Sequence, residues 1–216
     1  MFVVCFGIAI SSTFGKENAD RENFHMPNLY IIAGCNGAGK TTASYTVLPE
    51  MLNCKEFVNA DEIARGLSPF QPEKVAIDAG KIMLTRIQEL IKSKVDFSFE
   101  TTLSPRYFIN LIKEAQEQGY FVTLVFFWLN SVDLAIQRVN MRVSEGGHDI
   151  PEDTIRRRYK TGITNLVSRY IPICDYWMIV NNSEGPFYLI AEGLKDCEIE
   201  IKDVSVWNKI KTQENE

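Results

Sequence analysis

Histidine is nearly absent from this 216-residue chain, with only His25 and His148, and cysteine is sparse: Cys5, Cys35, Cys54, Cys174 and Cys197. The cysteines are odd in number, scattered, and never form a C-x-x-C pair. Neither a structural zinc cage nor a disulfide framework can be assembled from such a set, and a reducing, cytoplasmic setting fits it best. Long apolar runs are lacking too. The stretch Phe2 to Ile10 is far short of the ~20 residues that cross a bilayer, carries no basic residues ahead of it and is followed by a polar segment, so no membrane association is expected. Basic excess is missing as well: 23 Lys and Arg against 28 Asp and Glu give a net charge of -5, which disfavours a protein that holds nucleic acid by bulk electrostatics.

What is present suits a single α/β domain, with 45% hydrophobic and 24% charged residues. Residues 1–25 read as an appendage, with Met26 as the expected start of the fold, residues 26–211 as one domain and 212–216 as a frayed tail. From Asn28 onward, short β-rich runs alternate with longer helical ones, the signature of βαβ units and a mainly parallel sheet. Five strands are predicted, Leu29 to Ala33, Glu56 to Asn59, Asp96 to Glu100, Tyr120 to Leu129 and Tyr176 to Asn181. The spacing of Val75, Ala79, Ile82, Met83, Ile87, Leu90 and Ile91 predicts a helix over Glu73 to Lys92 with one apolar stripe. Ser104-Pro105 reads as a helix start and Gly119 as that helix's end. Ser131 and Pro151 begin two more helices, which form a hairpin hinged at Gly146-Gly147. Phe187 to Ala191 and Cys197 to Ile201 read as a small C-terminal β-hairpin, and Val204 to Lys211 as a last helix.

One segment carries explicit chemistry. Gly34-Cys35-Asn36-Gly37-Ala38-Gly39-Lys40-Thr41 satisfies G-x-x-x-x-G-K-[ST] between a predicted strand and a helical run, where roughly 0.005 chance matches are expected in a chain of this composition. The glycines let backbone N–H groups turn onto a β-phosphate, and the helix N-terminus adds partial positive charge. Lys40 is placed to bridge the β- and γ-phosphates, Thr41 to offer its hydroxyl to Mg²⁺, and Thr42 to reach the α-phosphate. No N-K-x-D or T-K-x-D stretch exists to read guanine, so ATP is the expected nucleotide, with the Asn181-Asn182-Ser183 loop as a candidate edge for its base.

Polar residues at the carboxyl ends of strands are the next to weigh, because open α/β sheets bind ligands there. Asp61, in Asn59-Ala60-Asp61-Glu62, is either a base for an acceptor hydroxyl or a helix N-cap. Glu100, closing Val95-Asp96-Phe97-Ser98-Phe99, resembles a Walker B carboxylate acting on Mg²⁺ through water, or else binds a substrate hydroxyl beside Thr101 and Thr102. Six of the ten arginines, Arg138, Arg142, Arg156, Arg157, Arg158 and Arg169, fall in the helical hairpin. A hinged hairpin can bring such cations over a γ-phosphate, although three consecutive arginines about 100° apart cannot all face it.

In order and spacing, GCNGAGKTT, NADEIARG, FETTLS and RVSEGGHDIPEDTIRRRY resemble the zeta-toxin-like P-loop kinases over about Asn28 to Ile210. The resemblance implies a three-layer P-loop kinase fold and phosphorylation of UDP-N-acetylglucosamine by ATP with Mg²⁺. It also implies control by an antitoxin protein. Carried over, it makes Lys40 the phosphate-loop lysine, Asp61 the catalytic base, Glu100 the substrate-binding acid, and Arg142 and Arg158 the charge-neutralising pair. Three functions therefore stand side by side: a kinase with a small-molecule hydroxyl acceptor, a P-loop ATPase or nucleotide-dependent regulatory module, and a kinase for nucleic-acid ends.

Overall fold

A computed structural model of the protein describes residues 26–147 and 149–214. Expectations for residues 1–25, His148 and the last two residues lie outside that range. The central sheet is built from β1 (Asn28–Gly34), β2 (Glu56–Val58), β3 (Phe97–Thr101), β4 (Phe121–Trp128) and β5 (Tyr176–Asn181), all parallel, in the order β2-β3-β1-β4-β5. β4 reads FVTLVFFW and is buried at every position after the first, as a central parallel strand covered on both faces must be. The helices are α1 (Lys40–Met51), α2 (Ala60–Leu67), α3 (Ala76–Ser93), α4 (Phe108–Glu117), α5 (Val132–Ser144), α6 (Glu152–Asn165) and α7 (Val204–Glu214). The connections β1–α1–β2 and β3–α4–β4 cross the sheet in opposite directions, so right-handed crossovers place α1 and α4 on opposite faces. This is the three-layer arrangement expected.

Two further strands extend the sheet. β6 (Tyr188–Leu194) pairs antiparallel with β5, and the two-residue β7 (Glu200–Ile201) pairs with β6, giving seven strands in one sheet. The C-terminal hairpin is therefore a continuation of the main sheet.

Of the stripe predicted for α3, Ala79, Met83, Ile87, Leu90 and Ile91 are buried, whereas Ile82 is largely exposed and Val75 belongs to a preceding 3₁₀ turn over Pro72–Val75. Gly119 ends α4 as expected: its N–H reaches the Gln116 carbonyl and that of Tyr120 the Ala115 carbonyl, the paired bonds of a Schellman cap. The start of α4 differs. It begins at Phe108 because the carbonyls of Leu103 and Ser104 accept from the Asn165 amide and that of Pro105 from the Tyr170 hydroxyl. These tertiary bonds keep residues 103–105 out of the helix despite the local Ser-Pro signal. The C-terminus differs as well. α7 runs on to Glu214, so residues 212–214 are helical rather than frayed, with the Gln213 side-chain oxygen accepting from the Trp128 indole at 3.4 Å.

Candidate active site

The loop between β1 and α1 has no room for side chains at its glycines. Gly34, Gly37 and Gly39 all have positive φ, at 144°, 76° and 82°. A Cβ on Gly34 would sit 2.4 Å from the Phe127 carbonyl oxygen, one on Gly37 2.7 Å from that of Ala135, and one on Gly39 2.6 Å from the Asn182 amide. Asn182, beyond β5, donates to the Ala38 carbonyl at 2.8 Å and fixes that loop against the phosphate loop. Arg138 on α5 donates to the Ser183 carbonyl at 2.9 Å, on the same side. Thr42 is exposed. Burial pushes the Cys35 thiol up to about 11 although Lys40 and Arg138 oppose the shift, so this cysteine is a packing residue and not a nucleophile.

Lys40, only 5% exposed, donates to the Cys35 carbonyl at 2.9 Å and lies 3.4 Å from one oxygen of Glu100. The other oxygen of Glu100 accepts the Thr41 hydroxyl at 2.7 Å and the Asn59 amide at 2.9 Å. Strand register explains the meeting: Glu100 pairs with Ile32 at the carboxyl end of β1, directly before the phosphate loop. The Thr41 hydroxyl is a hard oxygen donor of the kind Mg²⁺ prefers, so its place at the end of the phosphate loop fits that ion.

Asp61 stands in the first turn of α2 and does not cap it. The cap is Asn59, whose side-chain oxygen accepts from the N–H groups of Asp61 at 2.8 Å and Glu62 at 3.4 Å. The capping role considered for Asp61 is thereby reassigned, and its carboxylate is exposed at the site. The sequence carried the signal for this, an Asn followed by acidic residues in a first helical turn, but Asn59 read there as the last residue of a strand.

The hairpin arginines separate. Arg158 donates to the Asn36 side chain at 3.2 Å, and burial lowers its guanidinium pKa against the pull of the Asp61 carboxylate. Arg156 points elsewhere, pairing with Asp133 at 3.2 Å, and Arg157 is exposed. Arg142 ends α5, where its carbonyl accepts the Gly147 N–H at 2.8 Å. A cleft of about 220 Å³ collects these groups, lined by Asn36, Lys40, Asn59, Asp61, Glu100, Thr101, Thr102 and Arg158 on its polar side. Arg142 is not part of that lining. Met83, Pro105, Tyr107 and Phe108 supply an apolar wall that sequence reasoning missed, since these residues carry no motif.

The zeta-toxin family model matches residues 12–183 of the chain. An uncharacterized protein of Haemophilus influenzae is 34% identical over 127 residues, 58% of this chain and 88% of that one. Among solved structures, the AvrRxo1-ORF1:AvrRxo1-ORF2 complex with ATP superposes with a TM-score of 0.70 at 19% identity, covering 88% of this chain and 65% of the other, so the present chain spans just under two thirds of that relative. The PezAT toxin-antitoxin system of Streptococcus pneumoniae gives a TM-score of 0.60 at 14% identity, with 99% and 95% covered. With the phosphate loop, the acid at the end of β3 and the family match over most of its length, the chain belongs to the zeta-toxin family of P-loop kinases.

Proposed function

We propose that this protein transfers the γ-phosphate of ATP to a hydroxyl of a small molecule, with UDP-N-acetylglucosamine as the foremost acceptor. The convergence of Lys40, Asp61, Glu100 and Arg158 on one cleft beside the phosphate loop carries this reading. Gly34, Cys35, Asn36, Gly37, Ala38, Gly39, Lys40, Thr41 and Thr42 hold the triphosphate, and Asn182 and Arg138 border the base. Thr41 would hold Mg²⁺, which when bound screens the charge of the β- and γ-phosphate oxygens. Asp61 accepts the proton of the attacking hydroxyl at its carboxylate. Glu100, Thr101 and Thr102 orient the acceptor, and Lys40 and Arg158 meet the charge that spreads over the transferring group.

Arg142 joins them only if the hairpin closes over the nucleotide. At about 220 Å³ the cleft is smaller than the roughly 300–1,000 Å³ of sites that enclose drug-sized ligands, so it accommodates the reacting end of the acceptor while the rest extends outward. The structural neighbour solved with ATP supports the choice of nucleotide, and the PezAT toxin-antitoxin neighbour supports an antitoxin partner. Free Cys35, Cys54, Cys174 and Cys197 agree with a cytoplasmic site of action.

The test is an acceptor panel of UDP-sugars, free sugars, nucleosides and oligonucleotide ends, read by mass shift with ATP as donor. Phosphorylated UDP-N-acetylglucosamine is the expected product. Label confined to oligonucleotides or nucleosides would replace the acceptor, and ATP hydrolysis without any acceptor would replace the kinase by an ATPase.

A further inference from the structure

We propose that Asn59 is a positioning residue that couples the helix bearing Asp61 to Glu100, and through Glu100 to the phosphate loop. The inference rests on the kinase reading above. Asn59 is 6% exposed, and both ends of its side chain are engaged. The oxygen caps α2 through the Asp61 and Glu62 N–H groups, and the amide donates to Glu100 at 2.9 Å. The other strong caps do only half of this: Asp has nothing to donate when ionised, and the single hydroxyl of Ser cannot span both partners.

The need for this coupling follows from what surrounds Glu100. Its carboxylate is met by Lys40, the Thr41 hydroxyl and the Asn59 amide. With nucleotide and metal bound, Lys40 would hold the β- and γ-phosphates and Thr41 the metal. Asn59 then remains as the neutral donor that keeps Glu100 aimed at the acceptor, and the same side chain sets the position of Asp61. Base and acceptor-binding acid are thus tied to one side chain at the edge of the cleft, and a small misplacement of such groups is costly in rate.

Asn59→Ser keeps the cap and removes the donor to Glu100, whereas Asn59→Ala removes both. Expected for Asn59→Ser is a melting temperature close to wild type, ATP affinity within about threefold, and kcat lowered about 10–100-fold with KM for ATP unchanged. A double-mutant cycle with Glu100→Gln should be strongly non-additive, the double variant being about as slow as the slower single one. Losses that multiply, a wild-type kcat for Asn59→Ser, or a melting temperature that falls as far for Asn59→Ser as for Asn59→Ala would overturn the coupling. If the wild-type protein phosphorylates no acceptor, the kinase reading falls and this one with it, whereas an active wild type with uncoupled variants removes this one alone.

Discussion

Asn59 and Asp61 stand two residues apart at the end of β2 and have different duties, which makes Asp61→Asn informative. Because the cap belongs to Asn59, the substitution leaves α2 intact. Thermal stability and ATP affinity should stay near wild type, while turnover drops by about 10²–10⁴-fold, the usual contribution of a general base. Wild-type turnover in a steady-state assay with the true acceptor would remove Asp61 from the chemistry. Lys40→Ala should abolish transfer and weaken ATP binding less, since the backbone N–H groups of the loop survive the change; retained transfer in a γ-phosphate label assay would contradict the role given to Lys40. The glycines and lysine of the loop were legible because phosphate binding dictates both residue type and spacing. Asn59 was harder to find. Its capping half has a local signature, but its bond to Glu100 spans 41 residues and depends on β2 and β3 lying side by side.

At the scale of elements, α6 decides which arginines matter. Its three consecutive arginines fan out around the helix, so that Arg158 reaches the phosphate loop at Asn36, Arg156 pairs with Asp133 and Arg157 is exposed. Arg158→Ala should lower kcat more than it lowers ATP affinity, with Arg157→Ala close to wild type. Equal effects in parallel kinetic and calorimetric measurements would reduce the hairpin to a solvated face. The inner side of α6 also packs against the loop after β3, where Gly162 leaves no space: a Cβ there would come within 2.6 Å of the Thr102 carbonyl oxygen. Gly162→Ala should therefore cost about 1–3 kcal/mol in denaturant unfolding despite the better helix propensity of Ala, and should raise KM for the acceptor by displacing Thr101 and Thr102. A more stable variant with an unchanged KM would show that the approach of α6 to this loop is not a constraint. The same packing explains why the start of α4 was misplaced from sequence. Leu103 is fully buried with φ of 56°, and the carbonyls of residues 103–105 are claimed by Asn165 and Tyr170, whose part in the loop is a matter of tertiary contact.

For the molecule as a whole, the five strands and their mainly parallel sheet were legible because each strand announced itself by composition and by βαβ alternation, whereas the order β2-β3-β1-β4-β5 comes from the structure. The joining of β6 and β7 to that sheet was not legible either, because a short hairpin pattern does not say which edge it extends. A consequence is that the loop after β5 is braced from both sides. Asn181 donates to the Tyr188 hydroxyl on β6, and Asn182 donates to Ala38 in the phosphate loop. Nucleotide binding should accordingly register on global stability. By linkage, ATP with Mg²⁺ at about 100 times its Kd adds ~2.7 kcal/mol, which for a domain of this size raises the melting temperature by about 5–10 °C. GTP at the same concentration should give a clearly smaller rise, because no guanine-reading motif is present. Lys40→Ala should shrink the ATP effect without removing it, while Asp61→Asn should leave it whole if Asp61 acts on the acceptor as proposed. Differential scanning fluorimetry on these three proteins separates the roles: equal shifts for ATP and GTP would deny adenine selectivity, and loss of the shift in Asp61→Asn would place that carboxylate in nucleotide binding instead of in proton transfer.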